Sequence, residues 1–271
     1  MKNLVKKSMA PAFAAAFCFL AAGQAQAVSV SVFEVTDPHS LTQNAGIIGW
    51  LNDRGMVNDD PYKNVTILED FEGKDADWYK RLNTGVGKFI AKGDPGTGST
   101  SYNAKTGSNS SDPYFEVRDY DANGRYNVYP FHTGENYLDS ADISNLSLNL
   151  NPGYKNIFFT VTDPGDVAGM TTSRGVVKVD GAPNEVGFDA IGSGNANGSL
   201  WFVGIDGEGE DLTKITWSVK RDGDKYTNDG FGLDSFGTVS NSVPEPATAL
   251  LLGAGLLPLM GFLRRKKEDE V

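Results

Sequence analysis

Groups that commonly perform catalysis are scarce in this chain of 271 residues, which has one cysteine and two histidines. Cys18 lies in an N-terminal apolar run, so the rest of the chain can form no disulfide, thiolate nucleophile or cysteine-ligated metal site. His39 and His132 belong to no H-E-x-x-H metal pattern. G-x-S-x-G and phosphate-binding glycine loops are also missing. The sequence therefore predicts a protein that is not an enzyme, with one class left open below.

Basic residues are outnumbered, and the formal net charge is −11 with a pI near 4.7. Seven of the 24 basic and four of the 35 acidic residues lie outside 28–243, so this region has 17 basic and 31 acidic residues and a net charge of −14. Phosphate backbones require a basic surface. We therefore expect no nucleic-acid partner.

The N-terminus has the features of a signal peptide over residues 1–27. Lysines precede an apolar run from Met9 to Ala22, which has 14 residues and is shorter than the roughly 20 that cross a bilayer. Ala25 and Ala27 form the small-x-small pattern after which signal peptidase cleaves. This predicts a mature chain that begins at Val28 and an exported protein.

The C-terminus combines a short motif, an apolar stretch and a group of cations. The segment Val243-Pro244-Glu245-Pro246 precedes the apolar residues 247–263. These 17 residues would span roughly 25 Å as a helix, slightly less than the hydrocarbon core of about 30 Å. Four cations follow as a membrane stop, Arg264, Arg265, Lys266 and Lys267, and residues 268–271 form a tail. The positive-inside rule predicts a cytoplasmic tail, with the region between the two apolar segments on the other side of the membrane.

This order of parts over 243–267 resembles the PEP-CTERM sorting signal, with Pro244, Glu245 and Pro246 as its motif. The resemblance implies recognition and processing by an exosortase at the inner membrane of a Gram-negative bacterium that makes extracellular polysaccharide. It also implies a precursor anchored through the C-terminal helix, which then moves to the cell surface or extracellular matrix. The acidic tail is longer than the family usually has. The alternative is an ordinary single-pass anchor.

The region 28–242 is predicted to be one all-β domain, an antiparallel β-sandwich of jelly-roll type. Leu146, Leu148 and Leu150 alternate with polar residues, as do Ile215, Trp217 and Val219, which gives each strand one core face. Eleven runs are strand-like: 28–35, 65–68, 86–90, 114–118, 126–131, 143–150, 156–162, 176–179, 199–205, 212–220 and 231–239. The polar stretches 93–112 and 192–198 are predicted to be surface loops.

Asp119-x-Asp121-x-Asn123-Gly124 matches the first six positions of a calcium loop, but the twelfth position is Pro130 instead of Glu. A β-hairpin that turns on Asn123-Gly124 explains the same residues with fewer assumptions. We favour the hairpin.

A second metal hypothesis joins the two ends of the domain. Asp70 and Glu72 lie near its start, and Asp229 and Asp234 near its end. This pairing resembles carbohydrate-binding-module-type jelly rolls, in which an early acidic strand and a late Asp bind a structural Ca²⁺. Oxygen ligands suit calcium, so calcium is the one candidate cofactor; the alternative is that the four are solvated turn residues.

The predicted role is therefore an exported surface or matrix protein whose sandwich binds or organises extracellular polysaccharide. The four tryptophans, Trp50, Trp78, Trp201 and Trp217, could form a sugar-stacking platform where exposed, although burial is expected for the last two. Two alternatives remain open. One is a secreted carbohydrate-active hydrolase with a carboxylate pair, and the other is a structural adhesin with no glycan ligand.

Overall fold

A computed structural model describes residues 28–35, 44–55, 64–121, 125–126, 128, 134–164, 174–188, 199–221, 225–226 and 229–240. The predicted signal peptide with Ala25 and Ala27, and the predicted sorting signal from residue 243 onward, lie outside these residues. None of the helices within the described ranges is long and apolar enough to cross a bilayer.

The predicted all-β sandwich is confirmed, since the described residues form two antiparallel sheets and two short helices. The strands are β1 Ser29–Val35, β2 Val65–Glu69, β3 Trp78–Tyr79, β4 Arg81–Asn83, β5 Gly87–Lys92, β6 Phe115–Arg118, β7 Tyr137–Asp139, β8 Asn145–Leu150, β9 Asn156–Thr162, β10 Arg174–Val179, β11 Val186–Gly187, β12 Leu200–Asp206, β13 Lys214–Arg221, β14 Lys225–Tyr226 and β15 Gly232–Val239. The helices are α1 Ala45–Asn52 and α2 Thr97–Thr106.

Sheet A has the strand order β1-β12-β9-β15-β7-β6-β3, with β2 also paired to β15. Sheet B has the order β11-β10-β13-β8-β5-β4, with β14 paired to β13. Both orders differ from the sequence order, so most neighbouring strands are distant in the chain. The last strand, β15, lies in the middle of sheet A between β9 and β7.

The main core lies between the two sheets. As the alternation predicts, Leu146 and Leu148 of β8 and Ile215, Trp217 and Val219 of β13 are buried there. The centre is aromatic: Phe89, Phe159, Trp217 and Phe236 contact one another with ring centroids 5.0–6.3 Å apart. Burial of this apolar surface supplies the main driving force for folding, since the domain has no disulfide.

Helix α1 covers the outer face of sheet A with a second apolar cluster. Its Trp50 packs edge-on against Phe202 and Phe158, with ring centroids 5.8 and 6.4 Å away. A side chain at Gly204 would meet the Trp50 indole at 2.3 Å, so glycine is required for this close approach. The Asn44 side chain caps the helix by accepting from the amides of Gly46 and Ile47.

Ten of the eleven strand-like runs contain a strand. In the eleventh, 126–131, the described residues Tyr126 and Val128 belong to no strand, and the others lie outside the description. Within the described residues β6 pairs with β3 on one side and with β7 on the other. The turn of the predicted hairpin, Asn123-Gly124, lies outside the described residues, so the hairpin stays a prediction. The predicted loop 93–112 is corrected, since it contains α2. The loop 192–198 lies outside the described residues.

Candidate functional site

The candidate site lies on the outer face of sheet A, at the edge formed by β3 and β6. Trp78 of β3 pairs with Glu116 of β6, which pairs with Asp139 of β7. The flanking residues Phe115 and Leu138 are buried in the main core. Side chains alternate between the faces of a strand, so Trp78, Glu116 and Asp139 lie in one row on the outer face.

Three partly exposed aromatic side chains form what we call the aromatic corner: Trp78, Tyr102 and Tyr114. The Trp78 and Tyr102 rings are stacked, with centroids 4.9 Å apart and planes 13° apart. Tyr114 contacts Tyr102 at 4.8 Å with its plane inclined by 63°. The Lys80 ammonium lies 5.1 Å from the centroid of the Tyr114 ring and pairs with Asp112. Aromatic faces beside a few charged groups are typical of small-ligand and saccharide surfaces.

Helix α2 holds the aromatic corner together. Ser99 Oγ donates to the Tyr114 carbonyl at 2.7 Å and accepts from the Tyr114 amide at 2.8 Å. Asn103 Nδ2 donates to the carbonyl of Asp112 at 3.0 Å. The Ser99 and Asn103 side chains are both buried. Tyr102 is thereby held against Trp78, so the stacked pair is already ordered without a ligand.

A buried charge network lies beside the aromatic corner in the same row. Arg125 contacts Asp139 and Asp142 at 2.9 Å each and Asp163 at 3.6 Å. Arg118 contacts Glu116 at 2.7 Å and Asp139 at 3.1 Å.

The network contains two arginines and four carboxylates, and Asp139 at its centre is fully buried. The Arg125 guanidinium packs closely on Gly230, where a Cβ would lie 2.2 Å from the guanidinium carbon.

Burial outweighs ion pairing for two of these carboxylates. The pKa of Asp142 is raised chiefly by burial, although Arg125 opposes this, and the pKa of Glu116 is raised by burial against the opposing effect of Arg118. The pKa of the neighbouring Tyr137 hydroxyl is also raised by burial and by the Asp139 charge. Removal of these groups from water thus affects their protonation more than the charges around them do.

Replacing Asp142 with asparagine should alter the pH dependence of stability. The raised pKa means that this carboxyl contributes stability that is fully present below its ordinary pKa of 3.8 and is lost as the pH rises through the folded-state pKa. We expect the urea unfolding free energy of the wild type to fall relative to that of Asp142→Asn as the pH rises from below 3.8 through the folded-state pKa. Glu116 is retained in both proteins, so it serves as an internal control, and parallel pH profiles would contradict the assignment.

The four predicted calcium ligands are placed as follows. The strands that carry the two motifs are adjacent, since Glu69 of β2 pairs with Phe236 of β15. Asp234 is buried and accepts from the amides of Val128 and Ser235 at 2.8 and 2.7 Å.

The other three residues also accept from backbone amides. Asp229 accepts from the Gly230 amide at 3.0 Å, and Glu72 from the Asn136 amide at 2.7 Å. Asp70 accepts from the amide of Glu72 at 3.2 Å. Within the described ranges, no three His, Cys, Asp or Glu side chains gather as a metal centre. Calcium binding stays a prediction.

Of the four tryptophans, Trp50, Trp201 and Trp217 are buried, and Trp78 is partly exposed. Burial of Trp201 and Trp217 confirms the expectation from their strand patterns. His39, His132 and the predicted turn at Asn123-Gly124 lie outside the described residues. The sugar-stacking hypothesis therefore concentrates on Trp78 and the two tyrosines beside it, which sequence reasoning did not find.

The end of the sandwich leads directly into the C-terminal signal. Strand β15 ends at Val239, four residues before the Val243-Pro244-Glu245-Pro246 segment. Residues 242–267 match the PEP-CTERM protein-sorting motif. The match includes the motif prolines, the apolar stretch and the four cations. No curated protein matches the chain significantly.

The PEP-CTERM match confirms the resemblance seen in the sequence. It indicates an exported surface protein that is processed by an exosortase. The match covers 26 residues at the C-terminus and does not reach the β-sandwich, where the described ranges end at Ser240. The role of the sandwich therefore has to be argued from its own surface.

Proposed function

We propose that this PEP-CTERM protein binds extracellular polysaccharide at the cell surface or in the extracellular matrix of a Gram-negative bacterium. The observation that carries the proposal is the aromatic corner, where Trp78 and Tyr102 stack and remain partly exposed. The apolar face of a pyranose ring can pack on such aromatic groups, while Lys80 and Asp112 are placed to bond its hydroxyls.

The two carboxylates in the strand row of Trp78 favour binding over hydrolysis. A glycosidase requires two carboxyl groups that flank the scissile bond. Glu116 and Asp139 are instead engaged by Arg118, and Asp139 also accepts from Arg125. An arginine-paired carboxylate that is fully buried has no access to a substrate. We therefore propose a binding role and no glycosidase activity at this site.

Trp78→Ala should weaken binding of the producing cells' extracellular polysaccharide roughly thirtyfold, because truncation of a central aromatic contact costs about 2 kcal/mol. Binding is measured by co-sedimentation of the exported domain with the polysaccharide, with and without EDTA, together with an assay for released reducing sugar. The matched control is Tyr154→Ala, which removes another partly exposed aromatic side chain in the turn between β8 and β9.

Three results would change the proposal. Equal weakening by both variants would remove the aromatic corner as the binding site. Release of reducing sugar would favour the hydrolase, and absence of binding by the wild type would favour a structural adhesin. Loss of binding in EDTA would support the calcium hypothesis for Asp70, Glu72, Asp229 and Asp234. If binding is unchanged in EDTA, these four residues have only a structural role in turns.

A further inference from the structure

Both ends of the described domain emerge at one end of sheet A. Ser29 at the start of β1 pairs with Asp206 of β12, which pairs with Asn156 of β9. The Asn156 side chain in turn bonds both backbone groups of Val239 in β15. These four residues form one row, and we call this the termini end. Three strand spacings separate Ser29 from Val239, a distance of about 14 Å.

The aromatic corner lies at the opposite end. The row of Trp78 runs through Glu116, Asp139 and Gly232, and Gly232 is the first residue of the strand that ends at Val239. This length of strand places the two rows roughly 20 Å apart. A ligand on the aromatic corner therefore does not compete with events at the termini end.

The chain is fixed in the sheet as far as Ser240. Strand β15 is paired with β9 and β2, and the Ser240 amide donates to the Asn64 carbonyl at 2.9 Å. The predicted membrane segment begins at residue 247, so six residues, 241–246, lie between them. Fully extended, six residues reach at most about 20 Å. The sorting motif Pro244-Glu245-Pro246 occupies half of this segment.

We propose that the termini end is the surface of the folded ectodomain that contacts the exosortase during processing. An enzyme in the membrane that acts on residues 241–246 must work within about 20 Å of this end. The proposal rests on the sorting motif and not on polysaccharide binding, so the two can fail separately.

Two of the described loops lie at the termini end, the turn 151–155 and the acidic loop 206–211. They are joined by bonds from the Gly207 amide to the Lys155 carbonyl at 2.7 Å and from the Gly153 amide to the Asp211 carboxylate at 3.2 Å. Lys155 and Asp211 also form an ion pair.

Because the two loops bond one another, neither can move aside independently. Glu208 and Glu210 are exposed, so a basic or polar enzyme surface would complement this end.

The test follows processing of the full-length precursor in cells that contain an exosortase, by pulse-chase and intact mass. A Gly/Ser insertion of about eight residues between Gly209 and Glu210 should slow loss of the C-terminal segment about tenfold, because it adds bulk where access is limited by linker length. A spacer of about twelve Gly/Ser residues after Asn241 should restore the rate in the same chain. The matched control is the same insertion between Ser108 and Asn109, beside the aromatic corner, which should leave processing unchanged.

If the variant with the insertion between Gly209 and Glu210 loses its C-terminal segment at the wild-type rate, the proposal is overturned. Slow processing that the spacer does not restore would also overturn it, because the insertion would then act through export or folding. Thermal unfolding of the released proteins checks that the insertions leave the sandwich intact. Co-sedimentation with polysaccharide is measured on the same released proteins. Absence of binding by the released wild type, with normal processing, would count against the aromatic corner alone.

Discussion

Asp139→Ala is expected to destabilise the sandwich by about 3–5 kcal/mol, because removing one member of a buried ion pair leaves its partner charged and uncompensated. Asp139 is fully buried and contacts Arg125 at 2.9 Å and Arg118 at 3.1 Å. It also accepts from the Ala141 amide at 2.7 Å, which orders the turn after β7. One substitution therefore removes the acceptor for two guanidinium groups and one amide.

Urea unfolding of the exported domain measures this effect. Asp211→Ala is the matched control, since Asp211 forms an exposed ion pair with Lys155 and exposed pairs contribute little to stability. The control also loses an exposed bond to the Gly153 amide, and we expect it to cost less than about 1 kcal/mol. Equal unfolding midpoints for the two variants would show that Arg118 and Arg125 find other acceptors when Asp139 is absent.

Asp139 and Asp142 both bond Arg125, yet their environments separate their roles. Asp142 retains one-fifth of its side-chain exposure and its pKa is raised by burial, whereas Asp139 is fully enclosed between the two arginines. An asparagine at 142 still offers an oxygen to Arg125. Asp139 thus holds the two arginines together. Protonation of Asp142 is expected to make the unfolding free energy depend on pH.

The strands were predictable where one face is apolar and the other polar. Leu146 and Leu148 alternate with Ser147 and Asn149, and a period of two specifies a half-buried strand from local sequence alone. Strands of two or three residues, such as β3 and β7, are too short to show a period. Their positions depend on pairing with β6, which is a property of the whole fold.

Helix α2 could not be predicted from its composition. Gly, Ser, Thr and Asn dominate its ten residues, and these are weak helix formers that favour loops. Ser99 and Asn103 fix the helix to the segment before β6 through hydrogen bonds to Tyr114 and Asp112. Tertiary contacts thus determine the structure here, and with it the position of Tyr102.

The charge network was hidden from sequence reasoning for a different reason. Arg118 and Asp163 are 45 residues apart in the chain, and 31 acidic residues in the domain offer many equivalent partners. The antiparallel order β9-β15-β7-β6 brings these strands together. The close approach of Arg125 to Gly230, where a Cβ would lie 2.2 Å from the guanidinium carbon, is likewise visible only in three dimensions.

Phe236→Ala is expected to destabilise the sandwich by about 3–5 kcal/mol through the loss of buried surface and the cavity left behind. Phe236 is fully buried, and its ring lies 5.0 Å from Phe159, 5.4 Å from Phe89 and 6.1 Å from Trp217. These neighbours belong to both sheets, so collapse around the cavity would require the sheets to move together. A rigid core of this kind relaxes little.

The control for Phe236→Ala is Phe33→Ala, which removes the same atoms from the partly exposed edge of the second apolar cluster. Its cost should be less than half as large, since much of that ring already contacts water. Urea unfolding of both variants decides the comparison. Equal losses would mean that the core between the sheets closes around the missing ring.

Phe236 lies three residues before Val239, in the strand that continues into the sorting signal. Loss of its packing should therefore reduce the amount of intact protein at the cell surface, because a larger unfolded fraction is exposed to proteases. Cleavage within 241–246 should continue, since loosening of β15 lengthens the accessible chain. Less protein at the surface together with continued cleavage would thus show that processing of the sorting signal does not require a fully stable β15.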